Sequence, residues 1–120
     1  MRRDYLYLTD VVTAADAIQR FIAGRSRDYF MSDELLQSAV LQKLIVIGEA
    51  VARLSDEFRF AHTRVEWRDV IAFRNIAIHA YFSVDWAIVW VTAMHDAPLL
   101  KEQIACILTD EFADTDTPTA

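Results

Sequence analysis

Apolar residues recur every three or four positions along most of this chain, which is the spacing of amphipathic helices. The first such pattern predicts a helix over residues 3–23, and Gly24 follows it as a stop signal. Its apolar positions are Leu8, Val11, Val12, Ala15, Ile18 and Ile22. The segment 24–32, "GRSRDYFMS", is polar and is predicted to be a connection.

A second, longer helix is predicted to run to about Phe58, with Ser32 or Asp33 as its cap and Glu34 in its first turn. Its core stripe is Leu36, Val40, Leu44, Ile47, Val51 and Leu54. The segment 59–66, "RFAHTRVE", is predicted to be a loop. Within the second helix, Gly48 and Glu49 interrupt an apolar run. We expect a close helix approach at Gly48 and an ion pair between Glu49 and an arginine, with support of a functional site as the second choice.

A third helix is predicted from Trp67 to about residue 80 or 81, and a fourth, "WAIVWVTAMHD", follows a cap at Ser83 or Asp85. Pro98 either lies near the start of a fifth helix or kinks one continuous helix. No segment alternates with the period of a strand. The pattern therefore predicts an all-α, up-and-down bundle of about five helices.

Composition changes this picture little. With 120 residues, 54% of them hydrophobic, one domain over residues 1–112 and a flexible acidic tail over 113–120 are expected. No apolar run is long enough to predict a membrane span, and no secretion signal is visible, so a cytoplasmic location is expected. The single cysteine, Cys106, is expected to be a buried, reduced thiol. The net charge of −6 argues against a general nucleic-acid coat protein, although residues 53–74 hold five arginines against four acids.

Four polar residues stand together in the third helix, in the apolar stretch "FRNIAIHAYF": Arg74, Asn75, His79 and Tyr81. Taken singly, each is best explained as a surface, capping or packing residue; together, they indicate a site. Asn75 and His79 share a helix face, whereas Arg74 and His79 lie about 140° apart on an ideal helix. Either the helix loosens near Tyr81, or a second copy of the site contributes.

A second line on this helix, Trp67, Ile71, Arg74 and Ile78, lies opposite part of the core face of Val70, Phe73, Ile76, Ala77 and Ala80. Two apolar lines on one helix favour two packing partners, and the second can be another protomer. His62 and His95 have no carboxylate or cysteine neighbours at metal-binding spacing, so neither a metal nor another cofactor is expected.

The segment "RNIAIHAY" resembles the R-N-x3-H-x-Y motif of HEPN-domain ribonucleases, specifically the HepT toxins of the HEPN/MNT toxin–antitoxin family. Three further segments resemble the same family in the same order: "IGEAVARLSDEF", "VEWRDVIAFRN" and "VDWAIVW". The resemblance covers nearly the whole chain.

The resemblance implies a HEPN bundle and a homodimer with the motif helices at its interface. It also implies metal-independent endoribonuclease activity on RNA (mRNA or tRNA), with Arg74 and His79 as catalytic residues and Asn75 as their polar neighbour. The family's partners are MntA-like minimal nucleotidyltransferases, which act as antitoxins by transferring AMP to the motif tyrosine, here Tyr81. The implied function is the toxin of a bacterial toxin–antitoxin pair. Two alternatives stay open: a non-catalytic HEPN module that binds and assists a minimal nucleotidyltransferase, and a plain helical dimerisation protein.

Overall fold

The structure, a computed structural model, describes the backbone of residues 2–80 and 84–116 and the side chains of residues 3–75 and 84–112. Within these residues all regular structure is helical, which confirms the predicted all-α class. The elements are α1 (Arg2–Ile22), α2 (Arg27–Ser32), α3 (Glu34–Ala52), α4 (Asp56–Ala61), α5 (Trp67–Ala80), α6 (Trp86–Val91), a π-helical segment (Thr92–Asp96) and α7 (Ala97–Asp116).

Helices α1 and α3 form the centre of the bundle and follow the predicted periodicity closely. The apolar stripe of α1 is buried against α3 and α7 except for the half-buried Val12, and the predicted core positions of α3 from Val40 to Val51 have no solvent exposure. Asp33 begins α3 as its cap, because its carboxylate accepts a hydrogen bond of 2.8 Å from the backbone N–H of Leu36. That hydrogen bond, with a second from the Tyr29 hydroxyl, holds the pKa of Asp33 below its usual value.

The predicted connection at 24–32 contains a short helix, α2, that was not expected. Ser26 caps it by accepting a hydrogen bond from the backbone N–H of Tyr29. Phe30 is fully buried, with its ring centroid 5.2 Å from that of Trp90 and 6.2 Å from that of Trp86. One aromatic anchor and one cap are therefore enough to order six residues that show no helical period.

Helix α3 ends at Ala52, and the prediction that it runs to Phe58 is wrong. Ser55 starts a separate helix, α4, and its own side chain caps it through the N–H of Phe58. The buried carboxylate of Asp4 in the first turn of α1 accepts hydrogen bonds from both the N–H (2.9 Å) and the hydroxyl (2.8 Å) of Ser55. Helix α4 also extends to Ala61, into the segment that was predicted to be a loop.

Helix α5 has the predicted bounds and packs mainly on α3. Val70 and Phe73 lie in the core as predicted. The second line on this helix is partly covered within the chain. Trp67 is buried and its indole N–H donates to the carbonyl of His62 (2.8 Å), whereas Ile71 is half-buried against the core. Trp67 therefore needs no second protomer to cover it, whereas Ile71 keeps part of its surface in a cleft, and the homodimer stays a prediction. The side chain of Ile78 lies outside the described residues.

After residues 81–83, which the structure does not describe, Asp85 caps α6 through the N–H groups of Ala87 and Ile88. The proposed cap at Ser83 lies outside the described residues. The helix continues from 86 to 116 through the π-helical segment, which ends just before Pro98. Of the two alternatives for Pro98, this arrangement matches a continuous helix that is irregular near the proline. The ring nitrogen of proline cannot donate the hydrogen bond that a regular helix needs.

Helix α7 extends to Asp116, four residues beyond the predicted domain end, although Phe112 within it has non-helical angles (φ −124°, ψ 17°). The flexibility of the acidic tail stays a prediction. Cys106 is exposed, and the prediction of a buried thiol is wrong. It lies two residues, or about 200° of helix rotation, from the buried Ile104, and so faces away from the core.

By length and hydropathy α3 meets the requirements of a membrane span, with a mean hydropathy of 1.5, which corrects the expectation that no segment does. The central helix of a bundle meets the same requirements. Because α3 contacts both α1 and α5 within the chain, its apolar character is accounted for by the core that it forms.

Candidate active site

Helix α5 carries three of the four polar residues of the motif, and the structure describes the side chains of only two of them. The side chains of Arg74 and Asn75 are described, whereas His79 is described only as part of the helical backbone. Tyr81 lies outside the described residues. The described geometry of the site is therefore that of Arg74, Asn75 and the residues around them.

Gly48 brings α3 and α5 into direct backbone contact beside Arg74. A Cβ atom on Gly48 would lie 2.8 Å from the backbone nitrogen of Arg74, 3.0 Å from its Cβ and 3.2 Å from the carbonyl oxygen of Ile71. Only a residue without a side chain permits this spacing. The predicted close approach is confirmed, and it fixes the backbone position from which the guanidinium projects.

Glu49, the residue after Gly48, forms an ion pair with Arg74, with 3.8 Å between Oε2 and Nη1. The predicted ion pair with an arginine is thus confirmed, and its partner is the predicted catalytic arginine. The side chains of Arg74 and Glu49 are 34% and 41% exposed. The contact is long and solvated, so it directs the guanidinium without burying it, and an anion from solvent can still reach the arginine.

Asn75 is exposed and lines a different surface from the Glu49 contact, a cleft of about 780 Å³ between α4, the following loop and α5. A rotation of about 100° per residue separates it from Arg74, so the two side chains leave the helix on adjacent faces. The structure therefore places Arg74 between α3 and the edge of this cleft, with Asn75 on the cleft side.

Three further residues of this cleft were not identified from the sequence: Arg59 and Phe60 on α4, and Arg68 in the first turn of α5. Arg59 forms an ion pair with Asp56 (2.6 Å), whereas Arg68 is exposed and has no ion pair with any described side chain. The helix predicted from the sequence ends before Phe60. Because α4 runs to Ala61, Phe60 lies about 200° around the helix from the buried Phe58 and faces solvent.

Of the two histidines with described side chains, neither joins a metal-binding group: within the described residues no cluster of three or more His, Cys, Asp or Glu side chains is positioned to hold an ion. His62 instead pairs with Glu111, with 3.0 Å between Nε2 and Oε2, and its ring lies 4.4 Å from that of Phe58. This contact connects the end of α4 to α7, away from Arg74.

Fold and site together define a class of protein: a single helical bundle that presents an arginine and an amide from one helix, held by a glycine contact and a carboxylate of the helix beside it. A family model described as "Ribonuclease HepT-like" matches residues 11–107. The chain belongs to the HepT-like ribonuclease family, as its resemblance to the HEPN toxins predicts.

Curated relatives agree with this assignment. A protein of Thermococcus cleftensis named "Probable ribonuclease HepT" is 36% identical over 79% of this chain and 86% of its own length. A "Putative RNase" of Caldanaerobacter subterraneus subsp. tengcongensis is 34% identical over 88% of this chain and 94% of its own. A "Gamma-glutamylcyclotransferase and putative RNase" of Methanocaldococcus jannaschii is 32% identical over 92% of this chain, which spans only 50% of that relative. No solved structure matches the chain.

Proposed function

We propose that this protein is the toxin of a toxin–antitoxin pair and cleaves RNA without a metal ion. The observation that carries the proposal is the setting of Arg74. A glycine contact fixes its backbone, Glu49 directs its guanidinium, and about a third of its side chain stays open to solvent. A planar, permanently charged group held in this way suits the binding of phosphate oxygens.

The chemistry requires little beyond proton transfer and charge stabilisation, because RNA carries its own nucleophile. The 2′-hydroxyl loses its proton to a base and its oxygen attacks the adjacent phosphorus. The bond to the 5′-oxygen breaks, and the leaving oxygen takes up a proton. The products are a 2′,3′-cyclic phosphate and a 5′-hydroxyl. Histidine is the residue type whose unperturbed side chain titrates near neutrality, so His79 is the proposed proton carrier, and Arg74 stabilises the charge that develops on phosphorus.

A homodimer is part of this proposal. The α-helical backbone of α5 includes both Arg74 and His79, and five residues correspond to a rotation of about 140° around the axis of an ideal helix. This supports the alternative in which Arg74 of one protomer acts with His79 of the partner subunit on one phosphate. Any loosening of the helix near Tyr81 would fall outside the described residues. Two histidines in a shared cleft also provide one base and one acid.

The proposed antidote is covalent. An MntA-like nucleotidyltransferase transfers AMP from ATP to Tyr81, with release of pyrophosphate. The added phosphodiester brings a negative charge to the site, where it attracts Arg74 and repels the RNA backbone. The proposed location is the cytoplasm, where ATP and the RNA substrate are both available.

The test is growth and RNA cleavage with matched variants. Expression without the antitoxin should arrest growth, and Arg74→Ala and His79→Ala should each remove the arrest while the circular dichroism spectrum stays that of a folded helical protein. Cleavage by the purified protein should persist in EDTA. Cys106→Ser serves as the control and should remain active. Cleavage that stops in EDTA and returns with magnesium would refute the metal-free mechanism.

A second function is favoured by one observation. The net charge of −6 is unusual for a protein that binds RNA. It supports a non-catalytic HEPN module that binds a minimal nucleotidyltransferase and assists it. Under this alternative the wild-type protein causes no growth arrest, yet it increases the rate at which the nucleotidyltransferase transfers AMP.

A further inference from the structure

The cleft beside Arg74 has an exposed aromatic ring at its edge. Phe60 is 82% exposed, the largest exposed fraction among the large apolar side chains that the structure describes. Its exposure does not reflect a loosely held segment. Helix α4 is capped by Ser55, Ser55 is bonded to the buried Asp4, and Phe58 anchors the helix in the core. A helix held by its cap and its buried phenylalanine therefore presents this ring to water.

The same cleft connects Phe60 to the proposed active site. Its wall includes Asn75, the residue next to Arg74. A group bound against Phe60 thus lies in the same concavity as the amide that neighbours the phosphate-binding arginine.

The charges of the cleft restrict what can occupy it. Arg59 and Arg68 are balanced by three acids, Asp56, Glu66 and Asp69, so the lining carries a formal charge of −1. A run of phosphates is not attracted to such a surface. A nucleobase is neutral, has two apolar faces for stacking on an aromatic ring, and has polar edges that carboxylates and guanidinium groups can contact.

We propose that Phe60 stacks against an unpaired base of the RNA substrate, next to the nucleotide whose phosphate lies at Arg74. This inference rests on the proposed ribonuclease function and names its substrate class: single-stranded RNA, or a loop, in which a base next to the scissile phosphate is free to leave its stack. Base stacking on aromatic side chains is a general means of binding single strands.

A second copy of this chain, or a protein partner, is the competing occupant of the Phe60 surface. The observations favour the base. The centres of protein interfaces are depleted of charged residues, whereas five charged side chains share this cleft with Phe60.

The experiment measures binding of a short single-stranded RNA in which every 2′-hydroxyl is methylated, so that it has no nucleophile and cannot be cleaved. Phe60→Ala should weaken binding by roughly tenfold or more, and Phe60→Trp should retain it. Phe60→Leu, which keeps an apolar side chain but has no aromatic face, should behave like Phe60→Ala. The matched control is Leu35→Ala, which truncates another side chain that is 81% exposed, on α3 and outside this cleft; it should bind like wild type.

Salt concentration provides an independent test. The loss caused by Phe60→Ala should be the same at low and high salt, because stacking releases no counterions, whereas the loss caused by Arg74→Ala should shrink as salt rises. Equal binding by wild type and Phe60→Ala, or full binding by Phe60→Leu, would overturn the stacking proposal. A change of molecular mass by light scattering in Phe60→Ala would assign the ring to a protein interface instead.

Cleavage of unmodified RNA separates this inference from the function on which it rests. Wild-type protein that binds the methylated strand through Phe60 but cleaves no RNA refutes the ribonuclease proposal alone. Wild-type protein that cleaves RNA, with Phe60→Ala equal to it in binding and cleavage, overturns the base-stacking site alone.

Discussion

Two opposing effects act on the stability of a Gly48→Ala variant, and the sign of the measured change shows which of them is larger. Replacing glycine by alanine inside a helix normally stabilises it, by about 1 kcal/mol. In α3 the added methyl group would instead lie 2.8 Å from the backbone nitrogen of Arg74 and 3.2 Å from the carbonyl oxygen of Ile71. Neither atom can rotate away, so α5 itself has to move.

The cost of that movement decides the outcome. Inserting a methyl group into a packed region costs about 1–3 kcal/mol, and a clash with backbone belongs in the upper half of that range. After the gain in helix propensity, Gly48→Ala should destabilise the protein by about 1–2 kcal/mol. For a domain of this length the melting temperature should fall by roughly 4–8 °C.

Thermal unfolding followed by circular dichroism measures this effect. Ser38→Ala, at an exposed position of the same helix, is the matched control and should raise the melting temperature slightly, since it brings the propensity gain without the clash. If Gly48→Ala raises the melting temperature as the control does, α3 and α5 are not in backbone contact at this position, and the account of how Arg74 is held fails.

Further predictions concern the surroundings of the site and the helix ends. Glu49→Gln should cost less than about 1 kcal/mol, because its pair with Arg74 is long and solvated, and the difference from wild type should vanish in high salt; a larger, salt-independent loss in thermal unfolding would contradict this. The folded-state pKa of Asp33 is lowered, so its carboxylate stabilises the folded state above the unfolded-state value of about 3.9, and this contribution is lost as the pH falls through the lower, folded value. The difference in melting temperature between wild type and Asp33→Asn should therefore be constant near neutral pH and should shift against wild type only below about pH 4. A shift near pH 6 would show that a group other than Asp33 causes it. Cys106 should react with a thiol reagent in the folded protein, and modification only after unfolding would show that it is buried. Intact-mass spectrometry after co-expression with the nucleotidyltransferase should detect added AMP on wild type and none on Tyr81→Phe; unchanged addition to the variant would place the acceptor elsewhere.

The long helices could be predicted from the sequence because each repeats an apolar stripe over several turns. Helix α5 has the predicted bounds, and α1 differs from its predicted bounds by one residue at each end. The short helices α2 and α4 could not be found in this way, because their six residues hold fewer than two turns. Both begin at a capping serine, Ser26 and Ser55, and each contains one buried phenylalanine. Such helices depend on tertiary contacts, which a periodicity argument does not include.

The candidate site, too, was predicted from the sequence only in part. A carboxylate beside a glycine in an apolar run, at Gly48 and Glu49, correctly indicated a close helix approach and an ion pair, because both features are costly without a partner. Phe60 was missed because the segment that carries it was expected to be a loop, in which no facing direction can be assigned. Trp67 was assigned to an outward line because a single helix pattern does not show which neighbouring element covers it. In the structure, Phe58 and the carbonyl of His62 cover the tryptophan.

The hydrogen bonds between Asp4 and Ser55 have a consequence for how this protein should be handled in the laboratory. They join the first turn of α1 to the start of the helix that carries Phe60. An affinity tag or fusion partner placed directly before α1 would lie within one helical turn of Asp4, so it can disturb a surface far from it in sequence. A fusion that leaves the first turn of α1 unchanged, with the tag placed after α7, is the safer choice for assays of binding and toxicity.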